Sequence, residues 1–481
     1  MANQKITYLI GAGASYNALP LVKDFIAHPE TKKATPLVRM SFFLSNFTGI
    51  SGGPNQLPDT LKDVAGKLIE DLNWLNDACQ MHATVDTFAK KLFLTRKDPQ
   101  SAKDLRRLKG ALSAYFMWEQ CLSAPDNRYD TFYASVANND SAGKVALPPN
   151  IRVISWNYDF QFEKAYSQYF ESRRISDIQT KEGLNCFPSL AYSHSDDEYK
   201  SNGFSIVKLN GTAGLHRSGN TNREPSVLEE MWYKKGDRND ELQLAADILS
   251  IVQLYKQQQG PVESLLSFSW EYKPNEGAHK RHDIIGEALK IAKDTDILVI
   301  IGYSFPFFNR EIDSQLFDSL FHPNGRLSQI YYQVPKEDSD FARQMLETVT
   351  GPKLDTSKLK MITETKDFYI PLNLQSKADE TVDLLNNEIG RRIGGLANPI
   401  PQQELAMKVL NEFHENGLWT AEKQKDGSVT ISKTKITDEQ YNKAVKVLKG
   451  LNNDGFTKSE QSASDAKGAA EIKRLDRQHK D

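Results

Sequence analysis

The chain has few cysteines, no long apolar run and almost no excess of charge. Its 481 residues include three cysteines, Cys79, Cys121 and Cys186. Cysteines this few and this far apart exclude a paired-cysteine zinc ribbon and a disulfide scaffold. We therefore expect reduced, mostly buried thiols that act as small apolar side chains, and no bound metal.

Membrane-crossing and nucleic-acid-coating proteins are disfavoured by two further absences. No apolar run reaches the roughly 18 to 20 residues that cross a bilayer, and residues 1–10 lack the layout of a signal peptide. The expected location is the cytoplasm. Lys and Arg number 60 against 63 Asp and Glu, a formal net charge of −3. This balance argues against a protein whose main task is to coat nucleic acid.

A glycine-rich loop follows the first apolar run. Ile6 to Ile10 passes directly into Gly11-Ala12-Gly13-Ala14-Ser15. A β-branched strand followed by two glycines is typical of a nucleotide-phosphate loop, because small residues let the backbone approach a pyrophosphate. The N–H groups opening a following helix would supply further donors. Tyr16 occupies the place of the third glycine of the full fingerprint, and a tight strand-to-helix turn would need the same small residues.

Four more short apolar runs predict further strands of the same sheet. They are Ile151 to Ser155, Ser205 to Leu209, Asp296 to Ile301 and Ser328 to Val334. Continuous apolar runs are typical of parallel strands buried between helices, and ligands collect at the carboxyl ends of such strands. The predicted fold class is therefore α/β, a Rossmann-like parallel sheet with helices on both faces and helical insertions.

The length predicts more than one compact unit. We expect a nucleotide-binding domain over residues 1–372, with helical insertions at about 28–148 and 217–292. Within the second insertion, the aromatic run Phe268-Ser269-Trp270-Glu271-Tyr272 is expected to pack the insertion onto the core. A role at the border of a ligand is the alternative.

Residues 373–456 predict a small C-terminal α+β module. It reads as a helix from Leu405 to His414, a hairpin around Asp426-Gly427 and a helix from Asp438 to Gly450. Packing on the core or on a partner is the expected role, and nucleic-acid recognition is an alternative without an obvious basic helix. The polar segment 457–481 predicts a mobile tail.

The strand-end clusters resemble, in order and spacing, the motifs of the sirtuin-like family, in the branch that lacks the zinc module. Gly11-Ala12-Gly13-Ala14-Ser15 is similar to the family's Gly-Ala-Gly-x-Ser loop, and Trp156-Asn157-Tyr158-Asp159 to its Thr-x-Asn-x-Asp motif. Lys208-Leu209-Asn210-Gly211-Thr212 is similar to the Lys-Leu-His-Gly-Ser motif, and Gly302-Tyr303-Ser304-Phe305 to the Gly-x-Ser loop. The continuation from Pro306 to Asp313 is more similar to the family's bacterial antiphage-defence proteins than to its deacylases.

This resemblance covers about residues 5–340 and implies a site for NAD+. The residues implied to bind it are Gly11, Ala12, Gly13, Ser15, Gly211, Thr212, Gly302, Ser304 and Asn309. Asn157 and Asp159 are implied to lie beside the nicotinamide ribose, where Asn157 binds the ribose or the attacking water. The alternative for Asn157 is an amide that closes a strand-end turn. For Asp159 it is the N-cap of a helix over Phe160 to Tyr169.

Asn210 departs from the family, which usually has a histidine at this position. Asparagine is not a general base near neutral pH, but it still exchanges hydrogen bonds with ribose hydroxyls. His216 and His194 are the nearest histidines in sequence that would substitute as a base, although a lone loop histidine is more often a surface side chain. Asp86 is expected to cap a helix or to face solvent.

The activity that the resemblance implies is NAD+ glycohydrolysis. NAD+ is then the substrate, and cleavage of its nicotinamide N-glycosidic bond gives nicotinamide and ADP-ribose through an oxocarbenium-like transition state. The missing zinc cysteines and the missing histidine argue against protein deacylation. The alternative is a catalytically silent sirtuin-like nucleotide-binding sensor or assembly subunit, which Asn210 favours.

The likeness to defence proteins also implies a biological role and partners. The enzyme would be an abortive-infection effector that depletes NAD+ when phage infection releases its activity. The chain has no ATPase loop with which to sense infection. We therefore expect a homo-oligomer and a separately encoded sensor, for which the family implies an ATPase, a short Argonaute or a nucleotide-recognising subunit.

Overall fold

The computed structural model describes most of the chain. The described residues are 4–27, 33–49, 56–82, 84–139, 144–170, 174–180, 182–188, 203–217, 230–256, 262–271, 284–371, 386, 389, 402–423 and 429–450. Three of the features predicted above, His194, the Asp426-Gly427 turn and the tail 457–481, lie outside them. The chain divides into two compact units, Met1–Tyr369 and Ile370–Asp481.

Thirteen strands occur in the described residues. In chain order they are β1 Ile6–Ile10, β2 Asn138–Asn139, β3 Val145–Ala146, β4 Ile151–Ser155, β5 Cys186–Phe187, β6 Ser205–Lys208, β7 Gly211–Arg217, β8 Val262–Leu266, β9 Ile297–Ile301, β10 Gln329–Gln333, β11 Leu359–Ile362, β12 Leu418–Lys423 and β13 Val429–Thr434.

Seven of these strands form one parallel sheet in the order β11-β10-β9-β1-β4-β6-β5. Every residue of β1, β4 and β9 is buried. This burial explains why their sequences are continuous apolar runs rather than alternating ones. The α/β parallel-sheet prediction is confirmed.

All five strands predicted from the sequence are present, and their ends differ from the prediction by at most one residue. The sequence did not predict the two edge strands, β5 and β11. Two residues form β5, and β11 has only its first residue buried. Neither edge strand therefore has the apolar run by which the inner strands were recognised.

Thirteen α-helices occur in the described residues. They are α1 Pro36–Ser45, α2 Asp59–Met81, α3 Val85–Leu94, α4 Pro99–Leu122, α5 Asn127–Val136, α6 Gln161–Tyr166, α7 Ile175–Thr180, α8 Arg238–Lys256, α9 Ile284–Lys293, α10 Arg310–Leu320, α11 Ser339–Thr350, α12 Gln402–Glu415 and α13 Asp438–Lys449.

Within the first predicted insertion, residues 59–122 form three helices, because local caps divide the segment. Thr84 accepts a hydrogen bond from the backbone of Thr87 and begins α3. Asp98 accepts one from Ser101 and begins α4, whose first residue is Pro99. Capping side chains and a proline at the first helical position are typical helix starts. Within α2 the apolar residues at helical spacing are buried, namely Leu61, Val64, Leu68, Leu72 and Leu75.

After β6 the chain turns at residues 209–210 and enters β7, which pairs in antiparallel fashion with β8. Gly211 allows this turn, since its φ is +69° and a Cβ there would lie 2.0 Å from the carbonyl oxygen of Leu265. The turn at Gly211 therefore ties the end of β6 to the insertion.

In the C-terminal unit the described elements are α12, the antiparallel strand pair β12-β13 and α13. Thr437 and Gln440 form a capping box at the start of α13. His414 of α12 lies 2.7 Å from Asp438 and stacks on Tyr441 at 4.2 Å, which joins the two helices.

Two further findings concern membrane-spanning helices and the cysteines. No helix within the described part of the chain is long and apolar enough to span a membrane. Cys79, Cys121 and Cys186 are all free and buried, and burial raises the pKa of the Cys121 thiol to about 12. These thiols behave as the small apolar side chains predicted from the sequence.

Packing at Gly302, at the end of β9, allows a test of the fold. Gly302 and Gly236 share a positive φ, +60° and +83°, but a Cβ at Gly302 would lie 2.2 Å from the backbone of Ala14, whereas Gly236 faces open space. We expect Gly236→Ala to cost about 1–2 kcal/mol of unfolding free energy through its φ alone. Gly302→Ala should cost at least about 2 kcal/mol more, because backbone atoms must move. Urea-induced unfolding measures both, and equal losses would contradict the close packing.

Candidate functional site

The candidate site lies where the chain changes direction across the sheet. Strands β1 and β9 are neighbours, but β1 connects onward to β4 on one side and β9 connects to β10 on the other. In open α/β sheets such a switch point opens a crevice at the carboxyl ends of the strands, and ligands bind there. The loops that follow β1, β4, β6 and β9 therefore surround one location.

Three glycines bring the loops after β1 and β9 into backbone contact. The Gly11 N–H donates to Ile301 O at 3.0 Å, and the Gly13 N–H donates to Gly302 O at 2.9 Å. A Cβ at Gly11 would lie 2.5 Å from the Cα of Tyr303, and one at Gly13 would lie 2.9 Å from the Cα of Gly302. Loop-to-loop packing thus explains both glycines, whether or not a phosphate lies nearby.

The expectation that a helix N-terminus follows this loop is wrong. The chain forms a single 3-10 turn, Ala12–Ser15, and no α-helix. Arg128 holds the turn instead: its guanidinium donates to the carbonyl oxygens of Gly13 and Ala14 at 3.2 and 2.9 Å. The same guanidinium pairs with Asp126 at 2.6 Å. The loop is therefore stabilised by the Arg128 guanidinium at its carbonyl oxygens. A phosphate bound here would not lie at the N-terminus of an α-helix and would gain no stabilisation from a helix dipole.

Ser15 joins the glycine loop to the strand-end motif after β4. Its hydroxyl is buried and donates to Asp159 Oδ2 at 2.6 Å. It also contacts the Tyr129 hydroxyl at 2.8 Å and accepts from Asn157 Nδ2 at 3.3 Å. This set of bonds fixes the side chains of two predicted site residues relative to the loop.

Asn157 is buried and faces the glycine loop. Its Nδ2 donates to Gly11 O at 3.1 Å as well as to Ser15. Its backbone N–H donates to the Ser155 hydroxyl at 3.1 Å. Both side-chain hydrogen bonds use the amide nitrogen, so the amide oxygen is the group that can meet a ligand.

Asp159 is a buried carboxyl that the surrounding groups hold in place. Burial raises its pKa, while the hydrogen bond from Ser15 and the charge of Lys208 oppose that rise. Its Oδ1 accepts from the backbone of Gln161 at 3.3 Å. The helix predicted to follow it is shorter than expected, Gln161–Tyr166, and its N-cap is Phe160. Asp159 thus supports the start of this helix from one residue further back.

A buried ion pair lies beneath this motif. Lys208, the last residue of β6, contacts Glu163 of α6 at 2.5 Å and donates to the backbone oxygen of Asp159 at 2.8 Å. Both side chains are almost fully buried. Removal of one partner of such a pair leaves an uncompensated charge. Lys208 therefore positions the ends of β4 and β6 relative to each other.

Asn210 and Thr212 carry buried polar atoms without partners. Asn210 donates from Nδ2 to Trp156 O at 3.1 Å, but its Oδ1 and the Thr212 Oγ1 have no hydrogen-bond partner in the described structure. The two residues are 7% and 1% exposed. An unpaired buried polar atom costs about 1–3 kcal/mol. Donors on a ligand or a water would remove that cost. Gly211, between them, is required by its contact with Leu265.

The loop after β9 is constrained at several points. Gly302 has φ +60° and buried Phe305 has φ +53°, a value unusual for a residue other than glycine. Ser304 is exposed at the strand end. Asn309 is buried and donates from Nδ2 to the Tyr303 hydroxyl at 3.1 Å. Ser304 is therefore presented outward, whereas Asn309 is committed to the packing of its own loop.

Asp313 is a buried carboxyl that the sequence motif contained but that was not predicted as a site residue. It accepts from the Trp156 indole at 3.2 Å and from the Tyr303 hydroxyl at 2.7 Å, so it joins the loops after β4 and β9. Burial raises its pKa to about 8. The carboxyl is therefore neutral near pH 7 and serves as a polar clamp.

Two predicted site residues, Ala12 and His216, remain. Ala12 is exposed at the start of the 3-10 turn. His216 lies on β7, the sixth residue after Asn210, with its backbone opposite Glu263. No group of three or more His, Cys, Asp or Glu side chains among the described residues is placed to hold a metal ion.

Sequence reasoning missed Tyr129 and Arg128, which hold Ser15 and the glycine loop from α5. They lie more than a hundred residues along the chain from that loop, inside an insertion, and carry no motif. Asp313 was within reach of sequence reasoning, because it ends the stretch that resembles the defence proteins. Asp313 falls at helical spacing with the apolar residues Leu316, Phe317 and Leu320, and an acidic residue on that apolar face was the available signal.

Comparison of the chain with protein-family models, with curated proteins and with solved structures gave no significant match.

The Asp313 carboxyl predicts a pH dependence of stability. Its pKa is about 8 in the folded protein against 3.8 for an ordinary Asp. Because the folded state binds this proton more tightly than the unfolded state, protonation of Asp313 stabilises the fold. The stabilisation is fully present below about pH 4 and is lost as pH rises to about 8. The loss is on the order of 5 kcal/mol. Asp313→Asn should remove this fall in unfolding free energy.

Urea-induced unfolding between pH 5 and pH 8.5 measures the effect. Asp318→Asn is the matched control, since Asp318 lies on the same helix and is exposed beside Lys353. We expect Asp318→Asn to keep the wild-type dependence of unfolding free energy on pH. If Asp313→Asn also keeps it, Asp313 does not titrate in this way.

Proposed function

We propose that the protein is an NAD+ glycohydrolase that cleaves the nicotinamide N-glycosidic bond and releases nicotinamide and ADP-ribose. The observation that carries the proposal is the convergence of the glycine loop, the Asn157 motif and the Asn210 motif at the switch point of the sheet. Those are the positions at which the sequence resembles the sirtuin-like family.

The hydrogen-bonding character of the strand ends supports a ribose ligand. The amide nitrogens of Asn157 and Asn210 donate to backbone oxygens, at 3.1 Å in each case. Their amide oxygens, together with the unpaired Thr212 hydroxyl, remain to meet a ligand. An acceptor-rich group of neutral side chains suits a ligand with several hydroxyl donors, and a ribose supplies them.

The reaction needs charge stabilisation more than a strong nucleophile. Positive charge develops on the ribose as the bond to nicotinamide breaks, and oriented dipoles stabilise such charge. In this proposal the Asn157 amide oxygen orients the ribose or the attacking water, and Asn210 binds a ribose hydroxyl. Asp159 adds a nearby carboxyl held by Ser15. In this proposal the pyrophosphate lies against the loop after β1, Gly11 to Ser15.

The proposed role is that of an abortive-infection effector that depletes NAD+ during phage infection. Support comes from the similarity of Pro306 to Asp313 to bacterial defence proteins. A toxic activity of this kind requires restraint, so the proposal includes a homo-oligomer and a separately encoded sensor, such as an ATPase, a short Argonaute or a nucleotide-recognising subunit.

A second candidate function is a nucleotide-binding subunit without catalysis. One observation favours it: the family's histidine position is Asn210, whose amide nitrogen is already bonded to Trp156 O. Such a subunit binds NAD+ or a related nucleotide and releases no nicotinamide under any condition.

Asn157 provides the test of the enzyme proposal. Purified protein incubated with NAD+, with and without candidate activating partners, should release nicotinamide. Asn157→Ala should reduce the rate at least about 100-fold, because it removes an oriented dipole and loosens the glycine loop. Quantified nicotinamide and ADP-ribose measure the rate. Asn150→Ala is the matched control: Asn150 precedes the same strand at its opposite end and bonds to Gln4 O at 2.9 Å.

Control activity equal to wild type, with loss in Asn157→Ala, would support the enzyme. Binding of NAD+ without nicotinamide release, in every oligomeric state and with every partner, would favour the silent subunit. A protein that does not bind NAD+ and does not release nicotinamide would refute both functions.

A further inference from the structure

A tyrosine of the first insertion lies next to the glycine loop. Tyr129, in the first turn of α5, is fully buried, and its hydroxyl oxygen lies 2.8 Å from the Ser15 hydroxyl oxygen. Its ring packs edge-on against Phe162 of α6 at 4.7 Å and against Phe368 at 4.9 Å. Close packing against two rings holds the tyrosine in one orientation, with its hydroxyl at Ser15.

The direction of this hydrogen bond follows from the other partners of Ser15. A serine hydroxyl has one proton to donate and two lone pairs that accept. Ser15 donates its proton to Asp159 Oδ2 at 2.6 Å and accepts from Asn157 Nδ2 at 3.3 Å. Because its one proton is in use, Ser15 accepts from Tyr129. Burial and the charge of Asp159 raise the pKa of the Tyr129 hydroxyl well above its ordinary value, so this donor keeps its proton.

Ser15 therefore has no hydrogen-bonding capacity left for a ligand. The sequence resemblance implies that Ser15 binds NAD+, but its one donor and both acceptors are used within the protein. Arg128, the neighbour of Tyr129, holds the carbonyl oxygens of Gly13 and Ala14 just before it. The start of α5 thus fixes Ser15 through the backbone and through the side chain.

The position of Ser15 in turn sets the orientation of the Asn157 amide. Its nitrogen carries two protons, and the two acceptors are Gly11 O at 3.1 Å and the Ser15 hydroxyl at 3.3 Å. These two bonds fix the plane of the amide and with it the direction of Oδ1. In the proposed reaction Oδ1 orients the ribose or the attacking water. Misplacement of an orienting group by about 1 Å costs up to about 100-fold in rate.

We propose that Tyr129 is a positioning residue of the NAD+ hydrolysis. Its hydroxyl donates to Ser15 and so holds the Asn157 amide and the Asp159 carboxyl in the orientation that the reaction uses. Tyr129 itself does not touch the substrate. This inference rests on the proposed glycohydrolase function. It adds that the first insertion, which carries Tyr129, is part of the catalytic unit.

Tyr133 provides a matched control on the same helix. Its hydroxyl is also buried, but it has no hydrogen-bond partner in the described part of the chain. Each Tyr→Phe substitution removes one buried hydroxyl and keeps the ring. In the full-length protein, Tyr129→Phe should lower kcat for nicotinamide release at least about tenfold, with KM for NAD+ within about threefold of wild type. Tyr133→Phe should keep the wild-type kcat.

Ser15→Ala separates a role through Ser15 from a general structural role. If Tyr129 acts through Ser15, the double variant should have the kcat of Ser15→Ala alone, because the tyrosine hydroxyl then has no serine to hold. Losses that multiply, an unchanged kcat in Tyr129→Phe, or an equal loss in Tyr133→Phe would overturn the positioning role and leave the glycohydrolase intact. Wild-type protein that never releases nicotinamide would overturn the proposed function itself and, with it, the role of Tyr129.

Discussion

The close backbone contact between the loops after β1 and β9 is the constraint on which the site depends. Gly11, Gly13 and Gly302 meet without side chains between them, and two backbone hydrogen bonds join the loops. Asn157 then reaches Gly11 O. A side chain at any of these glycines would separate the loops and displace Asn157. Small residues that resemble a phosphate loop therefore have a packing role first, and the crevice follows from that packing.

The charged side chains around this contact are neutral, paired or hydrogen-bonded. Asp313 is kept uncharged by burial, Lys208 and Glu163 neutralise each other, and Asp159 is fixed by Ser15. What the strand ends offer is a group of amide and hydroxyl oxygens. Such a group favours a polyhydroxyl ligand.

The sheet was predictable because buried parallel strands have continuous apolar sequences, as in Ile6–Ile10 and Ile297–Ile301. Motifs at their ends could be placed together for the same reason. Edge strands such as Cys186–Phe187 are too short for this pattern. Likewise, no local signal distinguishes a 3-10 turn after Gly11 from the start of an α-helix. Contacts from Arg128 and Tyr129 depend on how an insertion folds back over the sheet, which sequence periodicity does not describe.

We propose that these strand ends bind the nicotinamide ribose. A crystal structure with carba-NAD+, in which a methylene replaces the ring oxygen of that ribose and prevents cleavage, is the decisive test. We expect the ribose hydroxyls at about 3 Å from the amide oxygens of Asn157 and Asn210, with the pyrophosphate against Gly11 to Ser15. If the analogue binds elsewhere on the protein, or leaves the strand ends empty at saturating concentration, the strand ends are not the ribose site.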